Sequence, residues 1–176
     1  MGVMKKKVLI ISGGLALVAA AVFAAFCIVN FNKVEETPEE NKGTNQPAVK
    51  RDIAYVNKDA ETSDITKVDG IANVYVFWGN GCPHCKAEWE YIESIRKEHA
   101  NDFQAFGFEV WYDHDNRTLM ETFADAMRVG KVNSVPFTII GKKTFDATVK
   151  GDEFLKAVEE AKKSNFDVYF DKVKQR

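Results

Sequence analysis

The sequence predicts an α/β domain in which helices cover both faces of a central mixed β-sheet, preceded by one membrane-spanning helix. Three observations lead there. Apolar runs rich in β-branched and aromatic residues alternate with segments of helical spacing through the C-terminal two thirds of the chain. Residues 8–31 form a single charge-free apolar stretch. Finally, Cys82-Pro83-His84-Cys85 falls where the apolar run Val74-Tyr75-Val76-Phe77 hands over to a helical pattern.

The N-terminus is read first. Lys5, Lys6 and Lys7 precede the apolar run from Val8 to Phe31, and Asn32 to Glu40 beyond it is acid-rich. As a helix the run would span about 36 Å, enough to cross a hydrocarbon core of about 30 Å with some tilt. Basic residues on the N-terminal side predict a cytoplasmic N-terminus (residues 1–7) and an extracytoplasmic C-terminal domain at the cell membrane. The run is longer than a usual signal-peptide core, so a retained single-pass signal anchor is preferred to a cleaved peptide, for which Ala19 to Ala25 offers small-residue sites. Cys27 reads as a lipid-facing apolar residue.

Residues 32–50 carry charge, amides and the breakers Pro38, Gly43 and Pro47, with almost nothing to bury, and read as a flexible linker. Residues 51–176 then suit one compact domain with a real core. With Lys5, Lys6 and Lys7 set aside, 21 basic and 26 acidic residues remain, which argues against nucleic-acid binding through a basic face.

Within the domain, Ile53 to Val56 is a candidate first strand and Ser63 to Val68 a short helix. Asn73 to Phe77 is the clearest strand. From Pro83 the apolar positions Cys85, Trp89, Ile92 and Ile95 recur at helical intervals. Phe103 to Trp111 reads as a strand, and Asp113 to Arg117 as a loop and helix start. Leu119, Met120, Phe123, Ala124 and Met127 make the next apolar stripe. Val135-Pro136 opens the strand Phe137 to Ile140, and Gly141-Lys142-Lys143 turns into a hairpin partner over Thr144 to Thr148. Phe154, Leu155, Val158 and Ala161 mark a last helix, with Lys162 and Lys163 at its C-terminal end.

The thiols carry the chemistry. Residues three apart on a helix are neighbours, so Cys82 and Cys85 lie within bridging reach. Pro83 sits just inside the helix start, where its missing N–H costs nothing. Cys82 would then face the unpaired N–H groups and positive dipole end, which favour thiolate, and a cationic His84 would push the same way. Two other readings stand beside a redox pair. Cys82, His84 and Cys85 could hold zinc or copper, although no second Cys or His pair follows, and His99 and His114 are isolated. The pair could also be a purely structural disulfide. Only Cys82 and Cys85 lie outside the apolar run, so they form a working pair rather than a stabilising framework.

Taken together, Trp78 through Cys85, the strand before them and Val135-Pro136 opening a later strand resemble the thioredoxin superfamily, over about Ile53 to Lys163. The Cys-Pro-His-Cys version, with Val before the proline, resembles the DsbA group of exported disulfide oxidases. The resemblance implies a thioredoxin fold, a cis Val135–Pro136 bond packed beside the disulfide, and Val135 backbone pairing with an extended substrate. It implies catalysis through Cys82 and Cys85 with no metal or organic cofactor, supported by Pro83, His84 and Trp78. Exported protein thiols and disulfides would be the substrates, and a membrane redox partner would reset the pair. The net direction leans to disulfide donation, with reduction or isomerisation as the alternative.

Two departures from that pattern stand out. Fifty residues separate Cys85 from Pro136, too few for the helical insertion of DsbA proteins. Val76 occupies the position six before Cys82 where relatives commonly carry a buried carboxylate, which leaves water, His84 or a carboxylate from elsewhere to take the Cys85 proton.

Overall fold

The computed structural model describes residues 45–46 and 50–176. The basic N-terminus, the apolar run at 8–31 and most of the linker lie outside the described residues. Among the described residues no helix is long and apolar enough to cross a membrane.

Five strands build the main sheet, in the order β2 (Val56–Asn57), β5 (Phe103–Glu109), β4 (Ala72–Trp78), β6 (Phe137–Ile140), β7 (Lys143–Phe145). β2, β5 and β4 pair in parallel, while β6 pairs antiparallel with both β4 and β7. A separate two-stranded ladder joins β1 (Asn45–Gln46) to β3 (Lys67–Val68). Successive side chains of a strand point to opposite faces. On one side Val74, Val76 and Trp78 of β4 pack with Phe103 and Ala105 under α1 (Pro83–Ile95) and α3 (Asp152–Ser164). On the other, Tyr75, Phe77, Phe106 and Phe108 pack against α2 (His114–Met127) and the C-terminal segment. Both faces are covered, so β4 is buried along its whole length and reads as an apolar run from Val74 to Trp78, with buried Asn73 its one polar amide.

Four expectations are corrected, the hairpin partner after the first three. Ser63 to Val68 is not a helix: a single 3₁₀ turn, Thr62–Asp64, is closed by the Asp64 carboxylate, which accepts from the Glu61 N–H at 2.9 Å and from Asn57 Nδ2 at 3.1 Å. The β-branched residues that follow then extend into β3. The first strand lies at Val56–Asn57 rather than 53–56. β5 stops at Glu109, two residues short of Trp111, because the Glu109 carboxylate captures the N–H groups of Trp111, Tyr112 and Asp113 and turns the chain.

Pro136 precedes β6 instead of occupying it, so the ladder loses no donor. The hairpin partner is shorter than read, at Lys143–Phe145. The chain ends in a π-helical turn, Tyr169–Val173. Ahead of it Asp167 is buried and accepts from the Tyr75 hydroxyl at 2.8 Å, which fastens the C-terminal segment to β4.

Candidate functional site

The site forms where β4 ends and α1 begins. Cys82 is the N-cap of α1 and Pro83 opens its first turn. In that position the Cys82 sulfur accepts the Cys85 N–H at 3.2 Å, one of the donors that a helix start leaves unpaired. The sequence thus brings both thiols into one turn, in the free form. Cys82 is 6 % exposed and Cys85 1 % exposed, so the pair has a shallow and a deep member.

The Val135–Pro136 peptide is cis. This loop lies opposite the thiols, and the Cys82 Sγ approaches the Val135 carbonyl at 3.7 Å. A Cys-x-x-Cys pair at a helix mouth, on the central parallel strand, faces a cis-proline loop that opens the neighbouring antiparallel strand. The fold is thioredoxin-like.

No family model matches the chain, and no curated protein does. Among solved structures the chain resembles thioredoxin-2 of the malaria parasite, a component of its protein secretion machinery (13% identity, 64% of this chain and 98% of that one, TM-score 0.42). It resembles an uncharacterised thioredoxin-like protein from Clostridium perfringens (17% identity, 77% and 92%, TM-score 0.41). A DsbF homologue from Corynebacterium diphtheriae is also similar (18% identity, 52% and 73%, TM-score 0.37). These likenesses are too slight to add to what the strand order and the loop geometry already say.

Beneath the thiols lies a residue that the sequence reading did not single out. Glu88 is 0 % exposed. It accepts the Thr138 hydroxyl at 2.5 Å and the Val149 N–H at 3.1 Å. Burial pushes its carboxyl up to about 7, despite those two donors. The Cys85 thiol is pushed up to about 12, by burial first, then by the Cys82 side chain, with the Glu88 charge a further contribution. A signal for Glu88 was available. It stands three residues after Cys85 and four before Ile92, on the apolar face of the helix, where a carboxylate is costly unless it has partners.

The other expected residues are dispersed in role. His84 is exposed and its side chain makes no hydrogen bond within the described residues, but its backbone carbonyl accepts the Thr148 hydroxyl at 3.1 Å. Trp78 is buried below the site: its indole N–H donates to the Lys58 carbonyl at 2.9 Å, and the Lys58 ammonium sits 3.8 Å over its ring. Among the described residues no group of three or more His, Cys, Asp or Glu side chains is gathered as a metal would require.

One further residue shapes the approach to the thiols. Besides turning the chain after β5, Glu109 accepts the Asn80 N–H at 3.0 Å, two residues before Cys82. Burial pushes its carboxyl up, but the amides of Tyr112, Asn80, Trp111 and Asp113 together pull it below its ordinary value. A cavity of about 540 Å³ beside it, lined by Asp59, Glu61, Asp113 and Asp115 among others, touches neither cysteine. One of its carboxylates is a helix cap: Asp113 accepts the Asn116 N–H at the start of α2.

Proposed function

We propose that the chain is an extracytoplasmic thiol–disulfide oxidoreductase, held at the cell membrane by residues 8–31, that exchanges disulfides with exported proteins through Cys82 and Cys85. The carrying observation is the pairing of a shallow sulfur at the helix mouth, facing the Val135 carbonyl at 3.7 Å, with a deep sulfur one turn further in.

In the donating direction a client thiolate attacks Cys82 of the disulfide. The Cys82–Cys85 bond breaks, and Cys85 leaves as a thiolate and takes a proton. A second client thiolate then attacks the client sulfur of the mixed disulfide and releases Cys82. The client loses two electrons and two protons, and the protein becomes a dithiol. Glu88 is the proton carrier for Cys85: its carboxyl, held near 7, can give or take a proton close to neutral pH inside the fold. It fills the role left open by Val76. No metal or organic cofactor is required, but a second disulfide or a membrane electron carrier must reset the pair.

The alternative direction, reduction or isomerisation of client disulfides, draws support from the same carboxyl. In that direction Cys85 must lose its proton before it can attack the mixed disulfide, and a buried base beside a thiol raised to about 12 serves that step. The reduction potential of the Cys82–Cys85 pair decides between the two. Equilibration with glutathione buffers should give a value in the oxidising half of the range from about −120 to about −270 mV. A value near the lower limit assigns the chain to reduction. Cys85→Ala should accumulate mixed disulfides with exported proteins through Cys82, and failure to trap any client would remove the proposal.

A further inference from the structure

Strand β6 carries one polar side chain, and packing alone does not ask for it. Phe137, Ile139 and Ile140 are buried and apolar, yet Thr138 among them is 0 % exposed and hides a hydroxyl. Thr138 pairs across the ladder with Val76 of β4, so both side chains lie on the face of the sheet that α1 covers. Glu88 comes down onto the same face from the helix and meets that hydroxyl. Burying a hydroxyl and a carboxylate is costly, and an apolar pair of the same shape would join strand and helix at least as well. This polar pair stands beside the Cys85 sulfur, three residues back on the same helix.

The two carboxylate oxygens are held by different kinds of donor. Oε2 accepts the Val149 N–H at 3.1 Å, from the connector between β7 and α3. A backbone amide can only donate, so this bond always favours the anion. Oε1 accepts the Thr138 hydroxyl at 2.5 Å. A hydroxyl can also accept, so by turning about its C–O bond it can receive the hydrogen of the neutral acid. Of the two partners, Thr138 alone can serve both protonation states. It also works against burial, which pushes the Glu88 carboxyl up, and it pulls back more strongly than the Val149 amide. Without that pull the carboxyl would stay protonated at neutral pH, able to give a proton but not to take one. Other ionisable groups around it do not set this balance. On α1 they are the two cysteines, His84 and Tyr91; from elsewhere come Lys58 over the Trp78 ring and the exposed Lys150 and Asp152 where the connector meets α3. β6 brings none.

Building on the redox function proposed above, we infer that Thr138 is a positioning residue of the exchange: its hydroxyl pins the Glu88 carboxyl so that the carboxyl both takes the proton Cys85 gives up on attack and returns it when Cys85 leaves. Thr138 acts through Glu88 and carries no electrons itself.

The test mixes the reduced full-length chain, in mild detergent, with excess dithiobis(nitrobenzoate). The Cys82 thiolate attacks one sulfur of the reagent, the reagent's S–S bond breaks, and a first coloured thiolate leaves. Cys85 then gives its proton to Glu88 and attacks the Cys82 sulfur, which releases the second thiolate. The protein loses two electrons and the reagent gains them. The second release is independent of reagent concentration, so stopped-flow absorbance separates it from the first. In the wild type its rate should rise with pH through an inflection near pH 7. Thr138→Val keeps the shape and removes the donor. It should move that inflection up by about one pH unit and slow the second release at pH 7 about fivefold, with the first release unchanged. Thr138→Ser should keep the wild-type inflection, and Thr138→Val should add nothing in a Glu88→Gln background. A Thr138→Val protein with the wild-type inflection overturns the positioning role alone. Should that variant not fold, the wild type decides by NMR: the Thr138 hydroxyl proton should exchange slowly with water and shift as Glu88 titrates, and a hydroxyl that ignores the titration overturns the role. A wild type without an inflection that Glu88→Gln removes overturns the proton carriage by Glu88, and Thr138 with it. A wild type inert toward the reagent overturns the redox function itself.

Discussion

Glu88 stands one helical turn beyond Cys85 on the buried face of α1, and its charge helps to hold the deep thiol up at about 12. Replacing it by Gln removes the proposed proton carrier while keeping the shape. Resolution of a mixed disulfide at pH 7 should slow by about tenfold to hundredfold in Glu88→Gln, measured by rapid-quench analysis. An unchanged rate would transfer the role to water.

The same carboxyl makes a stability prediction. Its folded value, about 7, lies above its free value of 4.5, so between these the folded state binds the extra proton. The stabilisation is complete below pH 4.5 and is lost as pH rises through 7, by roughly 3 kcal/mol. Urea midpoints of the wild type should therefore fall between pH 5 and pH 8, and Glu88→Gln should show much less of that fall. Asp167, also raised by burial, acts in the same direction in both proteins and cancels in the comparison.

The deep thiol should be nearly inert. In Cys82→Ala the remaining Cys85 stays buried, and burial is the first cause of its raised value. Iodoacetamide at pH 7 should modify it at least about 100-fold more slowly in native protein than in urea, followed by mass spectrometry. Rapid modification of the folded variant would contradict the depth assigned to Cys85.

Much of this was legible in the sequence, and the reasons are physical. The β4–α1 junction was readable because an apolar strand, a capping position and a proline at the helix start all act locally. The two helical stripes on α2 and α3 were readable from their periodicity. Three of the misses share one kind of cause, a polar side chain that gathers partners the hydrophobic pattern does not show. Asp64 closes a turn by reaching Asn57, Glu109 ends a strand by gathering amides from two loops, and Glu88 is satisfied by Thr138, fifty residues away. Helical position alone put Glu88 on the apolar face, but nothing local revealed its partners.

Removing the Glu109 acceptor should loosen both loops together. In Glu109→Ala the amides of Asn80, Trp111, Tyr112 and Asp113 lose their partner, and their hydrogen-exchange protection should fall by an amount equivalent to about 1–3 kcal/mol. Acid should mimic the change in the wild type. The folded value of this carboxyl is lowered, so its contribution is present above pH 4.5 and disappears as pH falls through the folded value. Protection that survives in Glu109→Ala would show that the loops hold themselves.

Two glycines should differ in their response to Ala. At Gly79 the atoms nearest the new methyl all belong to the half-exposed Trp111 ring, whose side chain has solvent to move into, so the expected cost is about 1–2 kcal/mol with a change in Trp fluorescence. At Gly107 it meets the Lys58 carbonyl at 2.3 Å as well as buried Trp89 at 2.4 Å, and the cost should reach about 3 kcal/mol. Thermal melts of both variants check the order.

The clasp between Tyr75 and Asp167 sets where the polypeptide can be shortened. Asp167 is reached only in the last dozen residues, yet its partner sits in the strand that three positions later ends beside the sulfurs. A stop codon after Ser164 would strand the phenol in apolar surroundings without its acceptor and uncover Tyr75 and Phe123 on the α2 side. The tail that looks most dispensable on a gene map is thus the far rivet of the strand that carries the reactive pair.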